Sequence, residues 1–163
     1  MKNLAYLFIG ALFLFFSCKK DKKGFPPEPQ IYYESTNPNT IKVFDTNSRT
    51  LIRFHFEDGD GDLGVDPEDT LATIFVRDSR DTTDAELATF SFPFPYIPNS
   101  IRKGKAITGN VTMNFDFKFY QIWDSLHFAL RKDTMVWSIY VQDAAGNKSN
   151  TIHSDTIYID YNP

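Results

Sequence analysis

Between residues 57 and 64 the chain reads Glu-Asp-Gly-Asp-Gly-Asp-Leu-Gly, which places Glu57, Asp58, Asp60 and Asp62 within six consecutive positions. Carboxylates so crowded repel one another at neutral pH. Three kinds of chemistry could use them: a bound cation, acid–base catalysis, or simple solvation of a turn. Asp58, Asp60 and Asp62 alternate with small residues, so their side chains can turn inward to one point. Asp66 and Asp69 follow closely. Hard oxygen ligands of this kind suit Ca²⁺, which takes about six to eight oxygens and tolerates irregular geometry. The expected ligands are Asp58, Asp60, Asp62, Asp66 and Asp69. The other reading of the same residues is a solvated acidic turn without an ordered ion.

The loop is not an EF-hand. In that register Leu63 stands where the loop needs Gly, Asp69 stands where a bidentate Glu is usual, and no helices flank it. Asp-x-Asp-Gly is also the nucleophile loop of haloacid-dehalogenase-like phosphatases. That chemistry needs a parallel sheet with crossover helices and a downstream Lys and Asp, none of which is visible here.

The elements that must position the loop read as strands. Thr50 to Glu57 alternates, with Ile52, Phe54 and Phe56 on one face and Arg53, His55 and Glu57 on the other. Residues 107–119 place Ile107, Val111, Met113, Phe115, Phe117 and Phe119 on one face, with Gly109–Asn110 a candidate bulge. Residues 134–142 place Met135, Trp137, Ile139 and Val141 on one face. Further strands are expected at 40–44, 71–77 (buried on both faces), 86–92 and 151–161, and residues 120–130 read as strand or short helix. The three prolines of 93–99 remove ladder donors, so that stretch is an apolar loop. This pattern specifies an all-β fold: an antiparallel β-sandwich, immunoglobulin-like in outline, of about seven or eight strands. In that topology the turn at 143–147 shares a pole with the acidic loop, so Asp143 is expected to complete the ion site or to support it.

The N-terminus reads as an address. Lys2 is followed by an unbroken apolar run at residues 4–16, then Ser17 and Cys18. The run is shorter than the roughly 20 residues of a membrane span and fits a signal-peptide core. Cys18, the single cysteine, sits at the cleavage point. The arrangement resembles a bacterial lipoprotein signal, and Phe-Phe-Ser-Cys followed by Lys-Lys-Asp is similar to the looser signals of Bacteroidota lipoproteins. The resemblance implies lipidation of Cys18 and attachment to the membrane through that lipid. Residues 1–17 are then the signal, 18–30 a flexible tether rich in Lys and Pro, and 31–163 one β-sandwich domain. In some of the Bacteroidota lipoproteins that this signal resembles, acidic residues after the cysteine mark surface export. Here four of the five residues after Cys18 are Lys, so the resemblance implies the periplasmic face of the outer membrane rather than the cell surface.

The motif Phe-x-Asp-Gly-Asp-Gly-Asp-Leu-Gly at 56–64, with Asp-x-Ala-Gly-Asn-Lys-Ser-Asn at 143–150, resembles a Bacteroidota lipoprotein family without an assigned activity. That family implies an envelope-located immunoglobulin-like sandwich. A second resemblance is to the Asp-[Ser/Thr] glycosylation acceptor of Bacteroidota envelope proteins, and it marks Thr70, Thr82, Ser125, Thr134 and Thr156. Asp-Thr is also ordinary turn chemistry.

Composition narrows the function classes. A net charge of −4 over 163 residues leaves no basic footprint for nucleic acid. One cysteine excludes an intrachain disulfide. His55, His127 and His153 are scattered, and neither a catalytic triad nor a zinc spacing is present. The expectation is a non-enzymatic structural or interaction module of the cell envelope with an unidentified protein or glycan partner. The alternative is a glycan-binding accessory lipoprotein of a polysaccharide-uptake system, using Ca²⁺ or aromatics such as Phe94 and Tyr96. Exposure of Phe94, Tyr96, Tyr120 and Tyr140 discriminates between the two.

Overall fold

The computed structural model describes residues 24–64, 73–81, 90–102, 104–123 and 131–163. Among these residues the chain is mostly β. Its ten strands are β1 (Gln30–Asn37), β2 (Thr40–Lys42), β3 (Arg49–Asp58), β4 (Ile74–Asp78), β5 (Phe90–Phe92), β6 (Ile107–Asp116), β7 (Lys132–Met135), β8 (Trp137–Val141), β9 (Ile152–His153) and β10 (Ile157–Asp160). Two short helices, α1 (Asn99–Arg102) and α2 (Phe117–Trp123), complete the order. Three sheets form: β1-β3-β6, β2-β10-β7 and β5-β4-β8-β9. All pairings are antiparallel except β2 with β10.

The alternation of β3 sets the frame. Ile52, Phe54 and Phe56 are buried, and the register with β6 runs unbroken from Arg49 opposite Asp116 to Asp58 opposite Ile107. From β6, Val111, Met113 and Phe115 turn to the same side, and Trp137, Ile139 and Val141 of β8 face them from another sheet. The Phe115 and Trp137 rings meet edge to face at 4.1 Å, so the sheets share one core. Such aromatic pairs add about 0.5–1.5 kcal/mol beyond area burial.

Several expectations are corrected. Among the described residues the strands number ten rather than seven or eight, because two sequence runs change sheet part-way and β1 is additional. The run at 134–142 breaks at Val136, with β7 joining β10 and β8 joining β4. The run at 151–161 divides likewise between β9 and β10. β1 lies ahead of every strand assigned from alternation, and it starts at Gln30, inside the expected tether. β4 is buried on one face only, with Phe75 and Arg77 half-buried on the other.

No bulge occurs at Gly109–Asn110. Gly109 keeps its place in the ladder, and the missing side chain makes room for Phe56: a Cβ there would lie 2.9 Å from Phe56 Cε1. β6 also stops at Asp116 instead of continuing to residue 119. The Asp116 carboxylate accepts a hydrogen bond from Phe119 N at 3.2 Å and so caps α2. The helical turn lets neighbouring Phe119 and Tyr120 both reach Trp137, which strict alternation would forbid. The loop after β5 closes the core through Phe94, which meets Phe56 at 5.1 Å. The expected strand residues 71–72 and 86–89, and residues 124–130, lie outside the described residues.

Gly109→Ala should overpack the Phe56 ring and lower stability by about 1–3 kcal/mol. Urea unfolding should show a lower midpoint at unchanged slope.

Candidate metal centre

The pleat that buries Ile52, Phe54 and Phe56 carries one step further, to Asp58. As the next residue in that series it also faces inward, and it is 0% exposed. The same happens twice more. Asp78 follows Ile74 and Val76 in β4, and Asp143 follows Trp137, Ile139 and Val141 of β8. Both are buried. Burying a carboxylate is costly unless its charge is met by hydrogen bonds or a counter-ion, and the three are met differently.

Asp78 pairs with Arg80, whose Nη2 lies 2.6 Å from Oδ2, and Arg80 also reaches Asp133 at 2.8 Å. Asp143 holds its own turn together. Its Oδ1 accepts from Asn147 N at 2.7 Å and its Oδ2 from Asn147 Nδ2 at 2.9 Å. Asp58 has less. Its Oδ2 accepts from Leu63 N at 2.8 Å, while its Oδ1 is buried without a hydrogen-bond partner.

Asp60 and Asp62 join Asp58. The three carboxylates each offer one oxygen, and these oxygens lie within 4.8 Å of one another. In every one of them Oδ1 is buried and unpartnered. None of the ion pairs among the described residues involves them. Two oxygens on opposite sides of a Ca²⁺ ion stand about 4.6–5.2 Å apart, so the cluster could hold a metal ion of that size.

Charge crowding shows in the proton affinities. Burial pushes the Asp58 carboxyl up to about 6, with Asp60 adding to the shift and the Leu63 and Gly61 N–H groups opposing it. Burial also pushes Asp62 up to about 7, helped by the charges of Asp143, Asp60 and Asp58.

The loop's backbone is fixed by close approach on both sides. Gly61 has φ +72°, and a Cβ there would fall 2.0 Å from Arg102 O and 2.1 Å from Lys105 O. Gly59 N donates to Pro26 O at 2.9 Å. Leu63, at the position that removed the EF-hand reading, is fully buried in the core and pins the loop to it.

Asp143 does stand beside the loop. Ala145 N, in its turn, donates to Asp62 Oδ2 at 3.0 Å, and Gly146 has the positive φ that the turn needs. However, both Asp143 oxygens are occupied by Asn147, so Asp143 lies outside the three-carboxylate cluster and supports it through the turn. Asp66 and Asp69 lie outside the described residues, as do Cys18, Thr70, Thr82 and Ser125. Thr134 on β7 and Thr156 before β10 are both exposed. The inward placement of Asp58 follows from the alternation of β3, carried two residues past Phe56.

Among the aromatics, Phe94 and Tyr120 are buried, Tyr140 stacks on Phe75 at 4.9 Å, and Tyr96 is 48% exposed. A cavity of about 490 Å³ is lined by Thr40, Lys132, Asp133, Thr134, Tyr158, Ile159 and Asp160, none of them in the acidic loop. No protein family, characterised protein or solved structure matches this chain.

The raised carboxyls give a signed pH dependence. A carboxyl with a raised folded pKa favours the folded state while protonated. That contribution is full below the unfolded value near 3.8 and is lost as pH rises through about 6 for Asp58 and about 7 for Asp62. In chelator, the melting midpoint should therefore fall between about pH 4 and about pH 7 and level off above that. Asp58→Asn should flatten that slope and raise the ion-free midpoint at the upper end, which a pH series of thermal melts would check.

Proposed function

We propose that the protein is a lipid-anchored, non-enzymatic β-sandwich of the cell envelope, immunoglobulin-like in outline. Its acidic loop is stiffened by Ca²⁺, and it serves as a structural or interaction module. The observation that carries this reading is the convergence of Asp58, Asp60 and Asp62 with three buried oxygens that lack donors. Their donor set is oxygen only, which favours a hard cation. The shared core between β1-β3-β6 and β5-β4-β8-β9 supports the sandwich. Lipid attachment at Cys18 rests on the signal-like N-terminus.

The non-enzymatic reading is supported by the described histidines. His55 is bracketed by Asn110 and Thr108 at 2.8 and 2.9 Å, and His153 bonds Ser138 at 3.0 Å. These are cross-strand contacts at solvent-facing positions. A glycan-binding accessory is the second reading. Tyr96 favours it, being exposed on the loop whose next residue, Ile97, packs on Gly64. Phe94 is lost to the core.

Calcium at 100 times its dissociation constant should stabilise the protein by about 2.7 kcal/mol, seen as a raised melting midpoint that chelator reverses. Asp58→Asn or Asp60→Asn should abolish that response. An unchanged midpoint at millimolar Ca²⁺ would sink the ion reading. In cells, Cys18→Ala should move the protein from the membrane fraction to the soluble fraction. Tyr96→Ala should leave the calcium response intact, and it should reduce retention on immobilised polysaccharide only under the second reading.

A further inference from the structure

We propose that the acidic loop is an ion-dependent latch for the N-terminal segment at residues 24–29: a divalent cation fixes Gly59, and Gly59 holds Phe25 and Pro26 against the domain. The inference rests on the cation reading above and names what that ion controls.

Gly59 lies between two of the three clustered carboxylates, Asp58 and Asp60. Asp58 is fully buried, and its unpartnered Oδ1 belongs to that cluster, so a cation there would immobilise the peptide on either side of Gly59. Gly59 N donates to Pro26 O at 2.9 Å. Its Cα faces the segment so closely that a Cβ would fall 2.4 Å from Pro26 O and 2.5 Å from Phe25 O.

Pro29 is buried beside the first strand and Phe25 is half-buried, and between them the segment has few other means of attachment. Pro26, Pro27 and Pro29 have no N–H to donate, and Gly24, Pro26, Pro27 and Glu28 are exposed. Its carbonyls are therefore its main polar handles, and Gly59 holds one of them. The chain enters its first strand at Gln30. With the latch closed, the chain is held from Phe25 onward, beside the acidic loop; with it open, it is held only from the buried Pro29 onward. In an extended, proline-rich conformation of about 3.1 Å per residue, releasing residues 25–28 lengthens the free leader by about 12 Å. Coupling is reciprocal, so a seated segment must also tighten the ion.

The test is nuclear magnetic resonance on the purified ¹⁵N-labelled protein, with Ca²⁺ or with chelator, alongside calorimetric titration of Ca²⁺. Ca²⁺ should raise the heteronuclear NOE at Gly24, Phe25 and Glu28 to the level of the strands, and it should slow amide exchange at Gly59 roughly tenfold or more. Gly59→Ala keeps all three carboxylates but displaces Phe25 and Pro26. It should bind Ca²⁺ several-fold more weakly and leave the segment mobile in its presence. If Ca²⁺ binds and the segment's NOE values do not change, the latch is overturned and the ion reading stands. If the alanine variant orders the segment as the native protein does, the role of Gly59 is overturned. If no Ca²⁺ binds, both fail together.

Discussion

A carboxylate in the apolar interior at the end of β3 constrains everything around it. Asp58 is buried because the pleat leaves it no alternative. It follows Phe56 by two residues on a strand whose inward face is committed to Ile52, Phe54 and Phe56. Leu63 N answers one of its oxygens, and the other is aimed at two more carboxylates. Such a group must either take up a proton or meet positive charge. The surrounding chain is arranged around that need. Leu63 anchors the loop in the core, Ala145 N steadies Asp62, and the carbonyls of Arg102 and Lys105 crowd Gly61.

Comparison within the molecule makes the point sharper. Three aspartates end three inward-facing runs. At one end of β8, Asp78 is neutralised by Arg80, which also holds Asp133. At the other end, Asp143 is satisfied by Asn147, a donor set supplied by its own turn. The fold therefore has the means to match a buried carboxylate with a cation or with amides, and it uses both. At Asp58, Asp60 and Asp62 the described residues supply neither in full. That contrast, rather than the number of acidic residues, separates the loop from a merely solvated turn.

Much of this was legible in the residues. Alternation located β3, the first ten residues of the long β6 run, and the inward residues of β8, and the expected topology put the 143–147 turn beside the acidic loop, where Ala145 N meets Asp62. It failed where local pattern and tertiary demand part company. β1 shows few apolar inward residues, chiefly Ile31, so alternation does not mark it as a strand. The helix after Asp116 is aromatic on successive positions, and a period-two template mistakes that for strand. The role of Asp143 was also only half visible. Its position follows from topology, but its engagement with Asn147 depends on turn geometry that spacing alone does not express.

The ten residues from Lys132 to Val141 belong to two sheets with a single residue, Val136, between them. The backbone of that residue is not left idle: Ser79 Oγ accepts from its N–H and Ser79 N donates to its carbonyl, both at 3.0 Å. In mechanical terms the strand is a tie-bar. A load that peels β10 away from β7 is carried across Val136 into β8 and its neighbours. The two sheets are coupled through that residue, which favours their yielding together.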